Sequence, residues 1–513
     1  MTPSTPIDAR EWVLVTAMPL ACLLLRLGGA PLFDVDEGAF SEATREMLER
    51  GDYLSTWLNG EPRFDKPILI YWLQALAVAA FGVTEWAFRL PSALAACGWA
   101  WAVWAFARPR LGRDVALGAL LVTCTALGPW AIGRAATADA LLNLWLALAL
   151  FDAWRHLETG DRAALRRTFV WIGLGVLTKG PVAILIPLAV TGIDALLRRD
   201  LRTWLRAVFD PVGWVILLAL VVPWYAAILA VHGQAFIDGF ILKHNVQRFT
   251  STLEGHSGSL LYYVVVLPLL LLPWTPALIA ALRNLRTDME TPLTRYLWLW
   301  CGFVVVFFSL SRTKLPHYVL YGATPLFLLV ARHGQRWQRG WLVLAVPTAL
   351  FALLVALPEV FAHLGRITGN RYYQAQLALA QEGAGPLYYT GTALALVVWL
   401  GVVVQRRWTV WQRLGAAAVL QVAVLALVVV PWLGQLLQGP VKEAGLRAHA
   451  LGTPAVLWRF DAPSFSVYRQ HETPWREAQP GELALTRIDR IPDWDHTVLY
   501  QRGGVVLLQR TAR

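Results

Sequence analysis

A chain of 513 residues, 57% of them hydrophobic and 15% charged, with a mean hydropathy of +0.49, is too apolar for a water-soluble protein, in which roughly a quarter of residues carry charge. The net charge of +11 does not mark a nucleic-acid binder, because the basic residues stand in short clusters between apolar runs, the pattern of a multi-span membrane protein. Cys22, Cys97, Cys124 and Cys301 all lie inside apolar runs without CxxC spacing, which indicates neither a zinc site nor a disulfide framework.

Met1 to Glu11 is polar and carries Arg10, unlike a cleaved secretory signal, so the first apolar run reads as a retained anchor. Runs near the ~20 residues that cross ~30 Å of hydrocarbon fall at 12–27, 91–107, 115–131, 139–154, 169–180, 181–197, 212–231, 260–282, 296–311, 315–331, 341–361, 387–404 and 412–432. This predicts thirteen spans, several of them short. The run 67–81, opened by Pro67 and closed by Gly82, reads as a helix on the membrane surface.

Charge supports that choice. Without 67–81, alternate loops hold Arg108/Arg110/Arg113, Arg155/Arg162/Arg166/Arg167, Arg198/Arg199/Arg202/Arg206, Arg283/Arg286/Arg295, Arg332/Arg336/Arg339 and Arg406/Arg407/Arg413, which sets a cytoplasmic face. The N-terminus is then cytoplasmic and the C-terminus outside. The first outer segment, 28–90, is acidic, and Ala39 to Arg50 is amphipathic at helical spacing. After Pro431 the stretches Val456–Phe460, Phe465–Tyr468, Thr497–Tyr500 and Val505–Gln509 read as strands. The prediction is a polytopic α-helical membrane part over 1–433 and a small outer α/β domain over 434–513.

Only five lysines stand beside forty arginines. Lys66, Lys179, Lys243 and Lys314 fall at outer ends of spans or in outer loops, where a compact ammonium suits a phosphate oxygen; snorkelling to the interface is the structural alternative. Asp36-Glu37 follows the first span, and Asp139 stands at the mouth of the fourth, five residues after Arg134. A carboxylate there is costly unless paired or solvated, so an Asp139–Arg134 salt bridge competes with acid/base chemistry on an anionic substrate. Other outer polar clusters are Lys243-His244-Asn245-Val246-Gln247-Arg248, Glu254-Gly255-His256 and Ser311 to Tyr318. Asp65, His244, Glu254 and His256 have no recognisable metal spacing, so no metal ligand is assigned. The absence of GxGxxG, Walker and GxSxG motifs disfavours nucleotide-driven and serine-hydrolase mechanisms.

Asp36-Glu37-Gly38-Ala39-Phe40-Ser41-Glu42, Arg45-Glu46-Met47-Leu48, Gly51-Asp52, Leu58-Asn59-Gly60, Phe64-Asp65-Lys66-Pro67 and Tyr71-Trp72 together resemble the first outer loop of the aminoarabinose transferases of glycosyltransferase family 39. That family is related to the dolichyl-phosphate-mannose-protein mannosyltransferases. Arg89-Leu-Pro-Ser92, Leu177-Thr-Lys-Gly-Pro181 and Ser311-Arg-Thr-Lys-Leu-Pro316 with Tyr318 resemble further family signatures, in order, across roughly 1–433. The resemblance implies a GT-C fold with thirteen spans, outer juxtamembrane helices and a terminal periplasmic α/β domain.

It also implies a bacterial inner-membrane enzyme that takes a sugar from a polyprenyl phosphate, without a nucleotide sugar, and passes it to a lipid A phosphate or another envelope glycolipid. By the same resemblance, Asp36 and Asp139 match the catalytic carboxylates, and Lys66, Arg248 and Tyr318 match holders of the donor phosphate. Glu37, Arg63, Asp65, Lys243, His244, Asn245 and Lys314 are further candidates for substrate contact. The family commonly has Tyr-Phe-Glu-Lys where this chain has Arg63-Phe64-Asp65-Lys66, and a histidine where it has Lys243. That glutamate and histidine are associated with a divalent metal, and the exchanges suit a more acidic substrate. Transfer to protein hydroxyls or to a polysaccharide stays open at this point. A transporter or flippase would show paired repeats and midplane charges, and an inactive lipid binder would not need Asp36, Asp139 and Lys66.

Overall fold

The computed structural model describes residues 6–247, 258–336, 341–405 and 407–511. Helix α1 (Ala9–Leu24) starts where Asp8 accepts the Glu11 amide at 2.7 Å, pairing one of the donors that a helix start leaves open. Glu11 is itself buried and accepts Nε and Nη2 of Arg108 at 2.6 and 3.0 Å, a bidentate pair that fixes the entry of the chain.

In the first outer segment, α2 (Asp36–Arg50) carries Asp36 and Glu37 in its first turn and Arg50 in its last, complementing the helix dipole. A hairpin of β1 (Trp57–Leu58) and β2 (Glu61–Pro62) follows. Its turn, Asn59-Gly60, has φ of +55° and +86°, the left-handed pair that a two-residue hairpin needs, and Glu46 of α2 accepts both turn amides. Helix α3 (Leu69–Phe81) has 13 residues, about 20 Å of helix, too short to cross the hydrocarbon layer.

Helices α4 (Glu85–Leu111), α5 (Arg113–Thr125), α6 (Leu127–Gly133), α7 (Asp139–Thr159), α8 (Arg162–Lys179) and α9 (Val182–Arg198) pack around the centre of the bundle. Among the described residues, six helices are long and apolar enough to cross a membrane, and eight do if two bent pairs each count as one span. The chain is a multi-pass membrane protein. The expected thirteen spans also take in α1 and α9, of 16 and 17 residues, and the more charged α7 and α8.

Three runs expected as continuous spans are broken. The run 115–131 bends by 61° between α5 and α6, and 260–282 splits into Tyr262–Leu270 and Thr275–Arg283 at 119°. The run 315–331 opens as a tight 3₁₀ turn, Pro316–Gly322, before the helix Thr324–Gly334. Pro129, Pro273, Pro276, Pro316 and Pro325 sit at or beside these breaks, removing donors and crowding the preceding turn. The freed groups pair with one another: the Leu127 amide donates to the Leu272 carbonyl at 2.9 Å, and Gln421 Nε2 donates to the Thr125 and Leu272 carbonyls, each at 3.2 Å. Such irregular backbone survives at membrane depth only where protein or a cavity satisfies it.

Beyond the long helix Val410–Leu437, helix Gly439–Leu451 packs on a four-stranded sheet of β3 (Ala455–Leu457), β4 (Leu483–Arg487), β5 (His496–Arg502) and β6 (Val505–Arg510). The order is β3-β4-β6-β5, with β3 parallel to β4 and the other pairs antiparallel. Phe465–Tyr468, expected as a strand, is part of the helix Ser464–Arg469, because Asp34 caps that helix: Oδ1 accepts the Ser464 amide at 2.9 Å and Oδ2 its hydroxyl at 2.6 Å. Strand β3 stops at Leu457, short of the expected Phe460, and β4 was not expected.

The same clasp ties this sheet unit to the segment just before α2. Tyr468 accepts the Leu32 amide at 2.7 Å and donates to Glu85 at 3.1 Å, and Ser466 donates to Asn59 at 2.6 Å. Gly38 permits the approach, since a Cβ there would lie 2.0 Å from Asp34 Oδ1 and 2.6 Å from the Ser464 nitrogen. Gly38→Ala is therefore expected to open the clasp and to expose the link around residues 438–452 to limited proteolysis. A digestion pattern identical to wild type would contradict this.

Candidate active site

Two cavities meet at one ion pair. The first, of about 360 Å³, is lined by Arg26, Asp36, Trp130, Arg134, Asp139 and His317 among others. The second, of about 350 Å³, is lined by Asp65, Lys66, Lys179, His244, Tyr318 and Tyr321 among others. Both fall in the range that holds a small ligand or headgroup.

Asp139 opens α7, where the positive end of the helix dipole favours a carboxylate. Its Oδ1 accepts Lys179 Nζ at 2.6 Å and the Tyr321 hydroxyl at 2.7 Å, while Lys179 also donates to the Tyr321 oxygen at 2.6 Å. His317 Nε2 stands 3.6 Å away. Asp139 thus faces the first cavity, and its partners Lys179 and Tyr321 face the second. The alternative pairing with Arg134 is not formed: that guanidinium donates to the Leu23 and Arg26 carbonyls instead.

Asp36, the first residue of α2, is exposed and lines the first cavity. Glu37 beside it is saturated. It accepts Arg89 Nε and Nη2 at 2.9 and 2.7 Å and the Ala136 and Phe33 amides at 2.7 and 2.9 Å. Burial pushes its carboxyl up, but Arg89 and the two amides hold it below the usual carboxylate range. Arg89 further donates to the Leu27, Ala30 and Pro31 carbonyls. Glu37, expected among substrate contacts, lines the first cavity and also pegs the loop that carries Asp36.

In the second cavity Lys66 Nζ donates to Asp65 Oδ1 at 2.6 Å, and Arg63 donates to Asp65 Oδ2 at 2.9 Å and to the Tyr71 hydroxyl at 3.1 Å. Arg63 also lies over the Phe40 ring. His244 Nδ1 is 2.9 Å from Asp65 Oδ1. Burial pushes Asp65 up, but Lys66, His244 and Arg63 hold it well below its ordinary value. Tyr318 stacks with Tyr321, and Lys179 lies over both rings.

Other candidates fall elsewhere. Lys314 donates to the Ser309 and Ser311 carbonyls, where it complements the end of the helix Pro292–Leu310, and it lines neither cavity. Lys243 is exposed and also lines neither. The side chain of Asn245, and all of Arg248, Glu254 and His256, lie outside the described residues. No group of three His, Cys, Asp or Glu suited to a metal occurs among the described residues. Asp65 and His244 approach one, but Lys66 and Arg63 already neutralise Asp65, so a divalent ion would have to displace two cations. Lys179, His317 and Tyr321 were not among the expected site residues, although Lys179 belongs to the scarce lysines, His317 lies inside the Ser311–Tyr318 cluster and Tyr321 follows it by three residues.

Asp34, at the clasp, is pushed up to about 7 by burial, with Asp461 and Glu37 adding to the rise and the Ser464 bonds opposing it. A folded-state value above the unfolded ~3.9 gives stability that is full below the unfolded value and is lost as pH rises through the folded one. The thermal midpoint is expected to fall from pH 5 to pH 8, and to fall less in Asp34→Asn. Parallel slopes would contradict the assignment.

A helical bundle with broken helices around twin cavities fits more than one class of membrane protein, and its relatives identify this one as a membrane-embedded glycosyltransferase of the GT-C class. A family model described as dolichyl-phosphate-mannose-protein mannosyltransferase matches residues 65–226. The undecaprenyl phosphate-α-4-amino-4-deoxy-L-arabinose arabinosyl transferase of Serratia proteamaculans is 30% identical over 379 residues, covering 71% of this chain and 68% of that one. The protein of the same name from Aeromonas salmonicida is 30% identical over 412 residues, covering 77% and 73%. The crystal structure of ArnT from Cupriavidus metallidurans bound to undecaprenyl phosphate matches 98% of both chains with a TM-score of 0.80 at 23% identity. The chain belongs to the family of these arabinosyl transferases.

Proposed function

We propose that this protein moves 4-amino-4-deoxy-L-arabinose or a closely related sugar from undecaprenyl phosphate to a lipid A phosphate or another envelope glycolipid, at the periplasmic face of the inner membrane. The observation that carries this reading is the Asp139–Lys179–Tyr321 triad, which forms the common wall of two cavities, one per substrate. In the proposed step an acceptor oxygen attacks the anomeric carbon, the carbon–oxygen bond to the carrier phosphate breaks, and the phosphate leaves with the bonding electrons. One in-line displacement inverts the anomeric centre.

Lys66, Lys179 and Tyr318 would hold the carrier phosphate, with Arg248 as a further holder by family resemblance. Charge grows on that phosphate as the bond breaks, so cations there stabilise the transition state more than the ground state. Asp36 would take a proton from a hydroxyl acceptor, or orient one that is already an anion. Residues 1–433 would form the catalytic part, and the unit after 434 would brace the Asp36 loop from outside. The test is an assay in defined lipid with undecaprenyl-phosphate-linked 4-amino-4-deoxy-L-arabinose and lipid A, followed by mass spectrometry. The expected products are lipid A heavier by one sugar and free undecaprenyl phosphate; an unchanged acceptor with every polyprenyl-phosphate sugar tried would overturn the reading.

A further inference from the structure

A third cavity, of about 180 Å³, lies at the other end of the bundle. Its walls come from the last turns of α7, the first turns of α8, α9, and the two helices that follow, α10 (Leu201–Val208) and α11 (Pro211–His232). Asp139 opens α7 and Lys179 closes α8. Leu157, in the cavity wall, is about 27 Å of helix from Asp139 at 1.5 Å per residue. The cavity therefore sits at the arginine-rich face, across the hydrocarbon layer from the candidate active site.

Its interior suits hydrocarbon, because the polar groups of its walls are already bonded within the chain. Thr168 donates to the Ala164 carbonyl at 3.1 Å and Thr191 to the Pro187 carbonyl at 2.7 Å. Trp204 Nε1 donates to the Thr191 hydroxyl at 3.0 Å, and Trp214 Nε1 to the Val208 carbonyl at 2.9 Å. An apolar cavity without free polar partners does not retain water. Ile184 and Leu188 of α9 and Trp214 of α11 line it and are exposed, which places its mouth on the lipid side of these two helices.

The rim stays cationic after its own carboxylates are counted. Asp152 pairs with Arg155 and Arg167, Glu158 with Arg110, and Asp194 with Arg198 and Arg295. Asp161, Asp200 and Asp210 cap the starts of α8, α10 and α11; Asp161 also stands 4.0 Å from Arg167, and Asp210 3.9 Å from Arg166. Among the described residues no carboxylate pairs with Arg162, Arg199, Arg202 or Arg206, and the buried Nε of Arg166 has no hydrogen-bond partner. Arg162 and Arg166 stand one turn before Leu165 and Phe169, on the face of α8 that lines the cavity. Helix α10 puts Leu201, Trp204, Leu205 and Val208 on one face and Arg202 and Arg206 on the other, the pattern of a helix lying in the membrane interface.

We propose that this cavity is a binding site for an anionic phospholipid of the leaflet on the arginine-rich side. One acyl chain enters between α9 and α11, the phosphate lies against Arg162 and Arg166, and Arg202 and Arg206 face the headgroup layer. A zwitterionic lipid would bring its own cation to these arginines, so the net negative headgroup is preferred. The site is separate from the transfer reaction and does not depend on which sugar is moved.

The test uses the full chain in phosphatidylcholine nanodiscs doped with phosphatidylglycerol carrying a photoactivatable diazirine on one acyl chain, with the matching phosphatidylcholine probe as the comparison. Cross-linked peptides are mapped by mass spectrometry. Phosphatidylglycerol is expected to label segments 153–172 and 204–217 at least about fivefold more than phosphatidylcholine does. Arg162→Gln/Arg166→Gln is expected to bring the two probes within twofold of each other; neither arginine donates a hydrogen bond among the described residues, so folding is not at stake in this variant. Ala207→Phe, which fills the cavity, is expected to remove labelling of these segments by both probes and to leave labelling elsewhere unchanged. Equal labelling by the two probes in wild type, label spread evenly over the membrane-facing helices, or a preference unmoved in the arginine variant would overturn the site.

Discussion

Asp36→Asn is expected to lower the rate of sugar transfer by about a hundred- to ten-thousand-fold, the range for loss of a positioned acid or base, while leaving undecaprenyl phosphate binding unchanged. The side chain lines the first cavity, whereas Lys66 and Lys179 line the second. The amide keeps the volume and removes the charge. The loop should not move, because Glu37 and Arg89 hold it through four bonds to Glu37 and three to backbone carbonyls. Single-turnover transfer measured beside equilibrium binding of the carrier lipid checks both halves of the statement. A fall in carrier affinity equal to the fall in rate would place Asp36 in donor binding instead.

Lys179→Met has the second large effect, and it acts twice. Removing the ammonium leaves Asp139 buried without the cation 2.6 Å away, and breaking such a pair costs about 3–5 kcal/mol. It also takes a cation from the cavity in which the departing phosphate is proposed to gain charge. Stability and turnover should therefore fall together in Lys179→Met. In Asp139→Asn/Lys179→Met the unpaired charge is gone, so the thermal midpoint should recover while transfer stays at least about a hundredfold down. Recovery of both would make the pair purely structural.

Local chemistry was legible in the sequence where a short segment decides its own conformation. The multi-span class follows from apolar runs and arginine clusters, and most of α2 follows from the amphipathic stretch Ala39 to Arg50, although the helix begins three residues earlier, at Asp36. Lysine scarcity pointed to Lys66, Lys179, Lys243 and Lys314, of which the first two line the second cavity and the others line neither. Asn59-Gly60 carried a hairpin signal that was quoted only as part of a family motif. What the sequence hid depends on distant partners. Phe465–Tyr468 has the composition of a strand, yet its helix is capped by Asp34, 430 residues away. Arg134 and Asp139 are near in sequence, but Asp139 bonds to Lys179, 40 residues on, and to Tyr321, 182 residues on. Hydropathy counted 115–131, 260–282 and 315–331 as spans because a bend does not alter composition. The breaks matter, since the Pro316–Gly322 turn carries His317, Tyr318 and Tyr321 to the cavities.

The central claim is that the carrier phosphate occupies the Lys66 side of Asp139 and the acceptor occupies the Arg134 side. Electron cryomicroscopy of the protein in nanodiscs with undecaprenyl phosphate tests it most directly. The account predicts phosphate density within about 3 Å of Lys66 Nζ, against Tyr318 and Lys179, with the first cavity free of the carrier. Phosphate density against Arg134 and Trp130, with the Lys66 cavity empty, would contradict it.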